Sequence, residues 1–226
     1  TRHKRAAIIV AALLLTACCL VLPIAPGFLP VAIAQSLAGV ASSIFAPGIA
    51  AITLGIMGPK AFTRRTGRNE AFNHAGNAVA AVLAGAGAYV MGPIAVFYLM
   101  AAMAACSIAA TLAVPASAID HDVARGLDDG SHRSHAGPAG LSVLLENRPL
   151  LIFAGCVVLF HFANAAMLPL VGQKLALANE GLGTTLMAAC VVIAQLVMIP
   201  AALIVGAKAD DWGRKPLFLA GFLILT

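Results

Sequence analysis

What this chain lacks most is charge. Not one Asp, Glu, Lys or Arg stands between Ala6 and Pro59, and charged residues are 10% of the whole. A soluble domain carries about 25%, so no water-facing surface can be assembled from such a stretch. The five cysteines (Cys18, Cys19, Cys106, Cys156 and Cys190) all lie inside apolar runs without metal-type spacing. They read as small buried hydrophobes, and no disulfide framework is implied. No nucleotide-binding loop occurs, so direct use of ATP is not written in this stretch. The net charge of +5 does not signal nucleic acid, because the cations sit in loops flanking apolar runs, where membrane insertion places them.

What is present is apolar length. Hydrophobic residues are 61% of the chain, and the expected fold is all-α: a polytopic bundle of transmembrane helices. A crossing needs roughly 20 apolar residues. The candidates are Ala6–Leu22, Phe28–Met57, Ala71–Met91, Ile94–Val114, Leu150–Val171 and Leu182–Val205, and Leu217–Thr226 begins another. The second is overlong and carries Pro30 and Pro47, so a kink is expected there. The organisation reads as a first half-bundle (1–114), a hydrophilic central loop (115–147) and the start of a second half-bundle (148–226). His121, His132 and His135 lie among the carboxylates of that loop, which reads as a solvated linker rather than a metal site. Arg2-His-Lys-Arg5 followed by Leu15-Thr-Ala-Cys18 imitates a lipoprotein signal. Because spanning helices follow without a break, it reads as a basic anchor and a membrane helix. The chain opens at Thr1 without methionine and stops at Thr226 inside an apolar run, and we expect a piece of a longer protein.

Orientation follows from the cations. Of the 14 Lys and Arg, all but Lys174 fall in one alternate set of loops: the N-terminal tail, Gly58–Arg68, the central stretch and the hairpin at Gly206. An excess of Lys and Arg marks that set as cytoplasmic.

The hairpin Gly206-Ala-Lys-Ala-Asp210-Asp-Trp-Gly213-Arg214-Lys215-Pro216 is the most informative segment. Its glycines allow a tight turn and close helix approach. Pro216 suits the first turn of a following helix, and Asp210 lies near enough to interact with that helix's N-terminal dipole. The pattern glycine, three residues, aspartate, two residues, glycine, two basic residues resembles the loop signature of the major facilitator superfamily of secondary transporters. In that family it joins the second and third helices of each six-helix half. The resemblance implies that Ala6–Leu22 and the three runs after it are the family's third to sixth helices. Leu150–Val171 and Leu182–Val205 would be the seventh and eighth, and the truncated run the start of the ninth. Lys4-Arg5 and the run after it weakly echo Arg214-Lys215 and theirs, as two repeats require. Where the family's proton-coupled exporters carry an arginine, Gln35 stands, four residues before Gly39. Gly85, Gly87 and Gly92-Pro93 approach, without matching, the glycine-rich run of those exporters. The resemblance implies a transporter rather than an enzyme, without a cofactor. It would move a small solute across a lipid bilayer, the bacterial inner membrane, with protons as the candidate coupling ion and export the candidate direction. A channel and a membrane-embedded enzyme are the alternatives.

Polar residues inside a membrane are costly, which makes them the candidate sites. His161 lies near mid-membrane depth, with Asn164 one turn on, and both are candidates for substrate or proton handling against a plain helix–helix hydrogen bond. Glu70, Asn73, His74 and Asn77, spaced i, i+3, i+4, i+7, form one polar stripe. Gln35 and Ser42 share a face, and Gln195 sits mid-helix. The resemblance assigns Gly206, Asp210, Gly213, Arg214 and Lys215 to a gating loop that latches the two halves on the cytoplasmic side.

Overall fold

The computed structural model describes residues 3–125, 145–179 and 181–225. Among them every regular element is helical. The order is α1 (Lys4–Ile24), α2 (Phe28–Ser42), α3 (Phe45–Met91), α4 (Ala95–Ala113), two short 3-10 turns (Ala116–Ala118 and Val123–Arg125), α5 (Arg148–Asn164), α6 (Met167–Ala178), α7 (Gly183–Trp212) and α8 (Arg214–Leu225). His132, His135, Asp128 and Asp129 lie outside the described residues. The all-α membrane bundle expected from composition is what the chain forms.

Five stretches are long and apolar enough to cross a membrane: Lys4–Ile24, Phe28–Met91, Ala95–Ala113, Arg148–Ala178 and Gly183–Trp212. Phe28–Met91 crosses twice, because Gly58 breaks α3 with φ 70° and ψ 170°. Only glycine adopts that conformation at no steric cost. The two arms, 45–57 and 59–91, fold back on one another, and Asn69 Nδ2 donates to Thr53 Oγ1 across the hairpin at 3.0 Å. The expected loop at Gly58–Arg68 is therefore corrected: one glycine makes the reversal, and helix resumes at Pro59, which fits a first helical position.

Prolines explain the other interruptions. Pro47 has no N–H for the Ser43 carbonyl, and α2 and α3 part at Ser43–Ile44. That is the expected kink, placed at the second of the two candidate prolines. Pro30 lies in the first turn of α2 and breaks nothing. The continuous helix expected over Leu150–Val171 is instead two, parted at Ala165–Ala166, because Pro169 removes the bond to Ala165.

The packing is that of a protein whose solvent is lipid. Cys18 of α1 meets Ala34 and Ala38 of α2, with Leu15 and Leu22 beside them. Among the described residues no large side chain is fully buried, while Phe28 and Phe162 are 89% and 83% exposed. In water such a surface would aggregate. In a bilayer it is the solvated face, and the backbones close on small residues instead. The chain is an integral multi-pass membrane protein.

The ends sort as the cation count requires. Arg5 Nη2 donates to the Leu112 carbonyl at 2.9 Å, and Asp120 N donates to the Gly55 carbonyl at 3.0 Å. These contacts bring the starts of α1 and of the central stretch together with the Gly58 turn. Thr63 meets Asp210 at the same end. Lys174 lies at the other end of α7, where α6 folds against it and Ala176 abuts Gly183.

Candidate functional site

The second arm of α3 (59–91) and α7 pack antiparallel over their whole length, joining the first half of the chain to the second. At the cation-rich end the contact is backbone on backbone. A Cβ added to Gly67 would stand 2.4 Å from Gly206 Cα, and one added to Gly206 would stand 2.5 Å from Gly67 Cα. The first glycine of the signature is thus the point where the two halves meet backbone to backbone. One turn outward, Thr63 Oγ1 donates to Asp210 Oδ1 at 3.4 Å. Arg214 reaches the same carboxylate at 3.5 Å, and Lys208 pairs with Asp211 at 3.3 Å. These pairs are exposed, and each contributes little. At the far end Thr185 Oγ1 donates to the Gly85 carbonyl at 3.3 Å, and Gly85 packs on Ala188.

The signature is not the loop expected of it. Gly206 to Trp212 is helical, and Gly213 alone leaves the helix, at φ 81°. Nothing between Gly206 and Trp212 opposes helix, and close packing on Gly67 holds that last turn. Lys215 and Pro216 belong to the first turn of α8.

Midway along the seam His74 and Gln195 meet, with Nδ1 2.6 Å from Oε1. With the amide oxygen as acceptor, Nδ1 is the donor of this bond, and Nε2 is left outside it. Two cavities flank the pair. One of about 700 Å³ is lined by Asn73, Asn77, Gln195, Thr16 and Ser107 among apolar side chains. The other, about 500 Å³, lies toward the cation-rich end and is lined by Thr63, Thr66, Glu70, His74 and Arg214. Gln195 lines the first and His74 the second, so their hydrogen bond stands on the boundary. The polar stripe straddles the same boundary, with Glu70 and His74 on one side and Asn73 and Asn77 on the other. Asn73 Nδ2 donates to Glu70 Oε2 at 3.2 Å.

The remaining candidates stand apart from this pair. His161 is exposed on α5 and lines a cavity of about 390 Å³ with Phe160, Phe218 and Phe222. Asn164 Nδ2 donates to the Phe160 carbonyl within its own helix. Gln35 is exposed on α2, and Ser42 Oγ donates to the Gly39 carbonyl. Sequence reasoning missed Gly67, Thr63 and Thr185. Their only signal is smallness, which most residues of this chain share. Among the described residues no group of His, Cys, Asp or Glu is arranged to hold a metal.

Asp120, outside the spans, anchors the start of the central stretch. Backbone N–H groups of Val123 and Asp122 hold its carboxyl below the usual carboxylate range. Its carbonyl lies so near Gly55 that a Cβ there would meet it at 2.7 Å.

The sequence profile of the Major Facilitator Superfamily matches residues 1–226. Two curated relatives, each named as an uncharacterized MFS-type transporter, come from the CDC 1551 / Oshkosh and ATCC 25618 / H37Rv strains of Mycobacterium tuberculosis. Each is 54% identical over 226 residues, all of this chain and 54% of the relative. The chain therefore spans about half the length of the curated relatives it matches. No solved structure matches it.

Proposed function

The chain belongs to the Major Facilitator Superfamily, and from that premise we propose that it forms the centre of a secondary transporter moving a small solute by alternating access. The membrane is the bacterial inner membrane. The single observation that carries this reading is the His74–Gln195 hydrogen bond, made between the two halves on the boundary of two cavities. Rocking one half against the other would open one cavity as it closes the other, with the pair as partition. Asn73, Asn77 and Gln195 offer neutral donors and acceptors to a solute in the larger cavity. The signature glycine and Asp210 close the cytoplasmic end.

We assign protons as the coupling ion and export as the direction. His74 and His161 are the histidines within the spanning helices of the described residues, and the proton-carrying role falls first to His74. Protonation turns Nε2 from acceptor to donor and places a positive charge one helical turn from Glu70, on the same cavity. His161 and Asn164 are the second candidates, and Gln35 the third.

The test needs no solute. In the full-length protein, stripped of native cysteines, Asn77→Cys reports on the larger cavity through a membrane-impermeant maleimide. Thr63→Cys with Asp210→Cys supplies a disulfide that locks the cytoplasmic end shut. Labelling from both faces before locking, and from the outer face alone afterwards, is the expected result. Undiminished labelling from the cytoplasm after locking would favour a channel and sink the proposal.

A further inference from the structure

A third cavity, of about 300 Å³, opens at the cytoplasmic end between the start of α1, the end of α4 and the first residues of the central stretch. His3, Lys4, Arg5 and His121 line it, with Leu112 and Ile119 among the apolar residues, and among the described residues no carboxylate does. Among the described residues, the neighbouring acids Asp120 and Asp122 are engaged elsewhere. Asp120 accepts from the backbone of Asp122 and Val123, and Asp122 pairs with Arg125. Two nitrogens of the lining, Arg5 Nε and His121 Nδ1, are buried without a hydrogen-bond partner. Buried polar atoms are nearly always paired; Arg5 Nε can only donate, so its orphan marks a missing acceptor, and His121 Nδ1 can donate to the same group in one tautomer. Lys4 is only 8% exposed at the same place. In the first turn of α1 there is no acidic residue, and His3 gives no side-chain cap, so the positive end of the helix dipole is not offset locally.

We propose that this cavity binds a phosphate group, held by Arg5 and His121 with Lys4 beside them. Arginine suits phosphate because its planar donors match the oxyanion. One donor, Nη2, is already fixed on the Leu112 carbonyl, so the guanidinium is pre-positioned while Nε remains to be satisfied. The site lies where the charge-free run of α1 begins, at headgroup depth. Leu112, 57% exposed on its rim, offers an acyl chain an apolar path. Phosphate could come from an anionic lipid headgroup or from solution, and basic pockets between helices at a cytoplasmic face are typical of the first.

Two arms distinguish the sources. Full-length protein purified in detergent is titrated with phosphatidylglycerol and, separately, with inorganic phosphate, reading bound lipid by native mass spectrometry and thermal stability for both. His121→Gln, in a short surface turn, leaves the helices untouched, while Arg5→Gln removes the stronger donor. Lys215→Gln, on the other cytoplasmic basic pair, is the control. Loss of one charge-assisted hydrogen bond should weaken binding about tenfold. A tenfold loss of phosphatidylglycerol binding in both variants, absent in the control, supports a lipid site. Stabilisation by inorganic phosphate, lost in both variants, supports a soluble anion. If His121→Gln and Lys215→Gln bind both probes like the parent, the proposal is overturned.

Discussion

The two ends of the seam between the halves are built differently. At the end that carries the signature, Gly67 and Gly206 bring backbone against backbone, leaving no room for a single carbon. At the outer end Gly85 faces a methyl group, and its added Cβ would meet Ala188 Cβ at 2.9 Å. A side-chain contact can yield by small shifts; a backbone contact yields only if a helix moves. Strictness therefore sits at the end that carries the signature, and tolerance at the other.

The largest effect is expected from breaking the strict end. Gly206→Leu should lower the stability of the full-length protein by about 3 kcal/mol, the upper range for overpacking, and abolish the Thr63→Cys/Asp210→Cys disulfide. Thermal unfolding in detergent and gel mobility read the two. Gly85→Ala should cost about 1 kcal/mol and leave that disulfide intact. Equal losses at both ends would remove the contrast.

A smaller effect belongs to the polar pair between the ends. A double-mutant cycle of His74→Leu and Gln195→Leu should give a coupling near 0.6 kcal/mol, as interhelical hydrogen bonds in membranes average. Its larger consequence is on labelling of Asn77→Cys from the cytoplasm, which should quicken when the partition is lost. The smallest effect concerns Asp120. A carboxyl held low stabilises its fold above the ordinary value near ~3.9 and loses that contribution as pH falls through its own lower value. The protection of the Val123 and Asp122 amides against hydrogen exchange, taken relative to the intrinsic rate at each pH, should therefore fall in acid. Asp120→Asn should show part of that loss at neutral pH, with the seam unaffected.

The helices were legible because charge is so scarce: each apolar run had to be a crossing, and the cations marked which helix ends gather together. The turns were not. Gly58–Arg68 and Gly206–Pro216 look like loops because they are polar, yet their residues favour helix once a single glycine has reversed the chain. Polarity marks where a helix leaves lipid, not where it ends. Among the candidates, His74, Asn77 and Gln195 were visible as polar residues in apolar helices. That His74 and Gln195 meet was not, because they are far apart in sequence and only the register of two helices unites them. Gly67 could not be singled out from so many small residues. The break at Ala165–Ala166 needed Pro169 to be read as a helix start.

The helix α7 runs from Gly183 through Pro200 to Trp212 as one continuous helical element. Between its tight spot at Gly206 and its opposite tip at Gly183 lie about 35 Å at 1.5 Å per residue. A pivot of ~5° at the fixed glycine would swing that tip by ~3 Å. Such leverage would turn a slight rearrangement at one end of the helix into a displacement of about one water diameter, ~3 Å, at the other.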